Sequence, residues 1–145
     1  MSDQFSSICK ISTSGARVYT HTVVIEDIKQ TIKDFPNQKS LACDEFKIPL
    51  KYSSLLGQVA VYPSGARKDD KGYLSVFFYL KPKTSDMDEV PVKVEYSIID
   101  TNGEKTEVKE FENKVSVFKA GRGYGRFVSH AVLFDASKNL LRMEV

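Results

Sequence analysis

Hydrophobic and polar positions alternate with a period of two along much of this chain. Phe46, Ile48 and Leu50 alternate with Glu45, Lys47 and Pro49, and Val59 and Val61 alternate with Gln58 and Ala60. Val92, Val94, Tyr96 and Ile98 alternate with Lys93, Glu95 and Ser97. Successive side chains of a strand point to opposite faces, so this pattern predicts half-buried strands. The stretch 73–80 (YLSVFFYL) is almost wholly apolar, as expected of a central strand covered on both faces. Segment 17–25 (RVYTHTVVI) is dense in β-branched and aromatic residues and predicts another strand. Asn102-Gly103 predicts a tight hairpin, because both central residues of a type I′ turn take positive φ, and the return strand runs over 105–111. Segments 115–118, 127–134 and 140–145 complete the set of strands.

Only one stretch changes period. Ile25, Ile28, Ile32 and Phe35 recur at spacings of three, four and three, which predicts one short helix stopped by Pro36. Residues 1–16, rich in Ser and Thr, hold no sustained period and read as a loose N-terminal lead-in, with Ile8, Cys9 and Ile11 too few to define a strand. Turn residues at Pro63-Ser64-Gly65, 69–72, Asn102-Gly103 and 121–125 separate the strands, with no helical crossovers between them. The expectation is all-β: one antiparallel β-sandwich of seven to eight strands with one short helix, spanning residues 17–145.

Composition narrows the function classes. A length of 145 residues fits one domain. Twenty-one Lys and Arg against 19 Asp and Glu leave a net charge of +2, without the strongly basic footprint of a dedicated nucleic-acid binder. There is no apolar run long enough to span a membrane and no basic-then-apolar leader at the N-terminus, so the expectation is an intracellular domain, cytoplasmic and/or nuclear, with no membrane or nucleic-acid partner. Cys9 and Cys43 read as free thiols in a reducing compartment. With only His21 and His130 as histidines and no ligand spacing, no metal or other cofactor is expected. A Cys43–His130 dyad has no recognisable flanking residues, and no enzymatic activity is expected.

Most charged or aromatic clusters have plain readings. Arg67-Lys68-Asp69-Asp70-Lys71 reads as a solvated turn of mixed sign, and Phe77-Phe78-Tyr79 as core. Asp86, Asp88 and Glu89 lack the spacing of a calcium loop. His21 and His130 each read as a strand residue satisfied by a neighbouring backbone group. The segment Gly121-Arg122-Gly123-Tyr124-Gly125-Arg126 carries more information. Its glycines allow a partner's main chain to approach, and Arg and Tyr are enriched at binding hot spots. No Lys-Ser/Thr follows the glycines, so it is no phosphate loop; the plain alternative is a hairpin loop with solvated arginines.

The order of motifs resembles the MATH (meprin and TRAF homology) domain. The resemblance rests on Val61-Tyr62-Pro63-Ser64-Gly65, Gly72-Tyr73-Leu74-Ser75-Val76-Phe77, Val92-Lys93-Val94-Glu95-Tyr96-Ser97-Ile98, the stretch 118–125, and Arg126-Phe127-Val128. It runs over about residues 17–145, best over 46–134, and the layout looks most like the speckle-type POZ branch of MATH-BTB ubiquitin-ligase adaptors. Residues 126–130 look closer to the TRAF branch. The resemblance implies a β-sandwich that binds short extended peptides in a groove. Carried over position by position, that groove has Tyr73 as an identity and Arg122, Gly123 and Tyr124 in place of the family's Lys-Asp-Trp. Val94 and Ser116 replace aromatic residues, and the chain has no Trp at all, so a serine-rich degron preference does not carry over.

Two readings follow. In the first, an extended partner segment lies beside Tyr73, Val94 and Tyr124, with Ser116, Arg122, Gly123 and Arg126 completing the site and the two arginines favouring acidic or phosphorylated flanks. The family then implies the substrate-recognition part of a cullin-type ubiquitin-ligase adaptor, its ligase components engaged through regions outside this chain. In the second, the chain is a structural or self-associating sandwich whose peptide groove has degenerated. Binding that depends on Arg122 separates the two.

Overall fold

Where the chain alternates it forms strands, and every pairing among the described residues is antiparallel. A computed structural model describes residues 3–13, 18–42, 45–49, 54–81, 90–115 and 122–143. In chain order these form β1 (Asp3–Thr13), β2 (Val18–Ile25), α1 (Ile28–Asp34), β3 (Leu41–Ala42), β4 (Phe46–Pro49) and β5 (Ser54–Tyr62). There follow β6 (Tyr73–Lys81), β7 (Val90–Ile99), β8 (Lys105–Val115), β9 (Arg122–Ser129), α2 (His130–Leu133) and β10 (Arg142–Met143).

The strands make two sheets. The first runs β2–β1–β7–β8, with β10 beside the start of β1; the second runs from an edge of β3 and β4 through β5 and β6 to β9. Counting β3 and β4 as one interrupted edge strand and leaving aside the two-residue β10 makes eight strands, in agreement with the expected sandwich. Between the sheets lie Phe5, Cys9 and Ile11 of β1, Val94, Tyr96 and Ile98 of β7, and Val59, Val61, Leu74, Val76 and Phe78 of β5 and β6, all buried. Helix α1 belongs to the same core through Ile28. Asp27 caps it, its Oδ1 accepting from the Gln30 N–H at 3.2 Å.

The largest departure from expectation is at the N-terminus. Most of the supposed lead-in over 1–16 is a central strand: β1 pairs with β2 from Phe5↔Ile25 to Ser12↔Val18 and with β7 from Ser7↔Ile98 to Thr13↔Val92. Its inward positions Phe5, Ser7, Cys9 and Ile11 do alternate, but two are small polar or thiol residues and Ile8 falls on the outer side, which blurs the period. Strand pairing on both sides outweighs that weak intrinsic preference.

Smaller corrections have local causes. The strand expected over 127–134 stops at Ser129, whose hydroxyl accepts from the Val132 N–H at 3.1 Å and caps α2, so His130 opens a helical turn. The C-terminal strand is the short β10. The hairpin after β7 is present, but only Gly103 has positive φ, 80°. Asp100 Oδ1 accepts from the N–H groups of Asn102 and Glu104, each at 2.9 Å, and this closes a longer loop than the two-residue turn. Residues 121–125 were expected as a loop; from Arg122 onward they belong to β9. Residues 116–118 of the strand expected at 115–118, and Cys43, lie outside the described residues.

Two predictions follow from β1. Phe5 is fully buried, so Phe5→Ala lowers the urea unfolding free energy by about 3–5 kcal/mol; a residue in a loose lead-in would change it hardly at all. Cys9 is a buried free thiol facing Tyr96. Burial pushes the thiol well above its ordinary value of 9.0, with the Tyr96 hydrogen bond pulling the other way, and burial likewise raises the Tyr96 phenol, with Cys9 adding to it. The folded state therefore keeps protons that the unfolded chain gives up above about pH 9, and stability falls as pH rises from there. Urea midpoints measured against pH should show this fall, and Cys9→Ala should shift its onset up toward the tyrosine range near 10.0.

Candidate functional site

Residues directly opposite one another in an antiparallel pair share a face. In the second sheet Val59↔Phe78 and Val61↔Val76 turn to the core, so Gln58↔Tyr79, Ala60↔Phe77 and Tyr62↔Ser75 make the outer face. Phe78 is fully buried, whereas Phe77, Tyr79 and Tyr62 are half-buried and belong to one ring cluster. Tyr62 meets Phe77 edge-on with centroids 5.8 Å apart, and the Tyr62 and Tyr79 hydroxyls lie 3.5 Å apart. Burial pushes the Tyr79 phenol up to about 12, and its hydrogen bond to Tyr62 acts in the same direction. Strand β6 was expected to be covered on both faces, with Phe77-Phe78-Tyr79 as core; among the described residues, only its inner face is packed against the other sheet.

At one end of this face stands a buried carboxylate. Asp70, 1% exposed, ends the 3-10 turn Lys68–Asp70. Arg67 Nε donates to Asp70 Oδ2 at 3.2 Å, and Arg126 Nε lies 3.5 Å from Oδ1. Arg126 also donates from Nη2 to the Asp69 carbonyl at 2.9 Å, and its guanidinium lies over the Tyr73 ring, 5.1 Å from the centroid. Segment 67–71 is therefore only partly the solvated turn expected of its mixed charges: Asp70 is removed from water because two arginines supply counter-charge.

The glycines of β9 serve close approach. A Cβ at Gly125 would meet the Asp70 carboxylate and come within 2.8 Å of Arg67, and one at Gly123 would run into the β6 backbone, 2.7 Å from Phe77 Cα. Opposite Gly125, β6 and β9 slip register between Leu74 and Val76. The buried Ser75 hydroxyl bridges the slip, donating to the Gly125 carbonyl at 2.5 Å and accepting from the Ala66 N–H at 3.0 Å.

The residues expected to form a site part into two groups. Two of them meet, since Arg126 stacks on Tyr73, and Gly123 pairs with Phe77 farther along β6. Tyr124 pairs with Val76 and packs against the core, its ring edge-on to Tyr96 at 6.0 Å. Val94, expected beside the groove, is 0% exposed in the other sheet, where Ile11 and Phe111 are its register partners; it is a core residue. Arg122 pairs in register with Phe78, and Ser116 lies outside the described residues. Asp70, Phe77, Tyr79, Tyr62 and the buried Ser75 were not among the expected site residues. The one advance signal was the parity of 73–79, which places Tyr73, Ser75, Phe77 and Tyr79 on one side. His130 hydrogen-bonds through Nε2 to the Pro63 carbonyl at 2.7 Å, so that nitrogen carries the proton.

The profile of the MATH domain family matches residues 20–144. The chain belongs to the MATH domain family. MATH domains are protein-interaction modules, so protein partners in general are the coarse function of this sandwich. The match begins inside β2, and β1, although central to the first sheet, lies before it. A search of curated proteins returned no match.

Removing the Asp70 carboxylate leaves two guanidiniums converging on an empty centre. Asp70→Ala is expected to lower stability by roughly 1–3 kcal/mol in urea titrations, moderated because both arginines reach water. Lys68→Ala, exposed in the same turn, stays within about 0.5 kcal/mol of wild type.

Proposed function

We propose that this MATH domain binds a short extended segment of a partner protein across the outer face of β5, β6 and β9. The segment lies between the Tyr62–Phe77–Tyr79 ring cluster and the Arg126–Tyr73 stack. The observation that carries the reading is the half-buried ring cluster, which the sandwich's own core does not use. Apolar side chains of the bound segment pack on these rings. At the other end, two arginines share one carboxylate, which leaves a net positive charge that favours an acidic or phosphorylated flank.

This recognition would serve a cullin-type ubiquitin-ligase adaptor, inside the cell, with the ligase components held by regions outside this chain. That role rests on the family's range of uses and on the motif layout.

Random short peptides displayed and panned against the domain provide the test. Enriched peptides should carry a large apolar residue followed by acidic ones, and Phe77→Asp should weaken them on the order of tenfold or more while the urea midpoint stays close to wild type. Peptides that bind the Phe77→Asp domain as tightly as wild type would sink the proposal.

A further inference from the structure

A sheet edge presents unpaired backbone donors and acceptors, and proteins blunt such edges with charges, prolines, breaks or bulges. Among the described residues, three of the four lateral edges are blunted. Edge strand β8 has charged residues at Lys105, Glu107, Lys109, Glu110, Glu112 and Lys114. The β3–β4 edge is broken between Ala42 and Phe46 and carries exposed Glu45 and Lys47 beside it. Edge strand β9 has the register slip opposite β6, together with Arg122 and Arg126.

The fourth edge, β2, has none of these devices. Its eight residues, VYTHTVVI, include no Asp, Glu, Lys, Arg, Pro or Gly. It pairs with β1 in unbroken register and, among the described residues, with no other strand. Its outer face is Val18, Thr20, Thr22 and Val24, all exposed, and Val18 at 54% and Val24 at 48% are the two most exposed large hydrophobic residues described.

That face is self-complementary. We infer that two copies of this chain associate edge to edge through β2, antiparallel about a two-fold axis at His21. In this register Val18 faces Val24 of the second copy, and Thr20 faces Thr22 of the second copy. On the inner side Tyr19 faces Val23 of the second copy, an aromatic and β-branched pair of the kind that stabilises sheets. A two-residue shift either way sets valine against threonine and leaves the other valine beyond the pairing. The two-fold register also keeps both cores on one side of a continuous sheet, and an isologous contact closes at two copies instead of growing into a fibre. The association is independent of the peptide reading, because β2 and the ring cluster lie in different sheets.

Sedimentation of the full chain over a range of concentrations tests this, with two variants of the exposed threonines. In Thr20→Lys/Thr22→Lys, each symmetry-related pair sets Lys against Lys; in Thr20→Lys/Thr22→Glu, each sets Lys against Glu. Wild type should sediment as a concentration-dependent dimer, and the Lys/Lys variant should dissociate on the order of tenfold more readily than the Lys/Glu variant. Register can be read without added charge. Mixed Thr20→Cys and Thr22→Cys chains should cross-link to each other faster than either does to itself. A wild-type chain that remains a monomer throughout, two charge variants with the same dissociation constant, or cross-linking without that preference overturns the inference.

Discussion

A carboxylate removed from water must find counter-charge, and Asp70 finds it in two arginines from different parts of the chain. Arg67 reaches it from the same turn, while Arg126 comes from β9, on the far side of β6 from β5. This triad ties a surface turn to the edge of the second sheet and sets the position of Arg126 above Tyr73. The constraint spreads to neighbouring residues. Position 125 has no room for a side chain, and Ser75 satisfies the Gly125 carbonyl that the register slip would otherwise leave inside the fold. One buried charge thus explains a glycine and the stacked cation at the end of the ring cluster.

The division of labour along β6 follows from strand parity. Leu74, Val76 and Phe78 fill the space between the sheets, while Tyr73, Phe77 and Tyr79 stand on the opposite side with Tyr62. A sandwich gains most of its stability from the inner set, so the outer rings are free to serve recognition. Tyr124 and Val94 show the converse. Both lie on segments that resemble a peptide groove, and both are turned inward by the register of their strands.

Much of this was legible in the residues. Alternation over 45–50, 58–61 and 92–98 and the apolar run at 73–80 announced strands, the motif order announced the family, and Ile25, Ile28, Ile32 and Phe35 announced α1. The candidate site was read less well. Tyr73 and Arg126 do meet, but Phe77 and Tyr79 looked like core because an apolar run does not tell which of its faces a second layer will cover. Asp70 looked solvated because its neighbours are of mixed sign, and a local charge pattern carries no information about an arginine 56 positions away.

The sequence by itself determined the period of most strands and the all-β class, because these arise from each residue's own backbone preference and the alternation of its neighbours. Tertiary structure alone decided that Asp3–Thr13 is a central strand, that Val94 is core, and that Asp70 is paired on both sides. Each of these depends on groups brought together from distant parts of the chain. Burial and charge pairing are properties of the assembled layers, and local pattern specifies only which residues are able to take part.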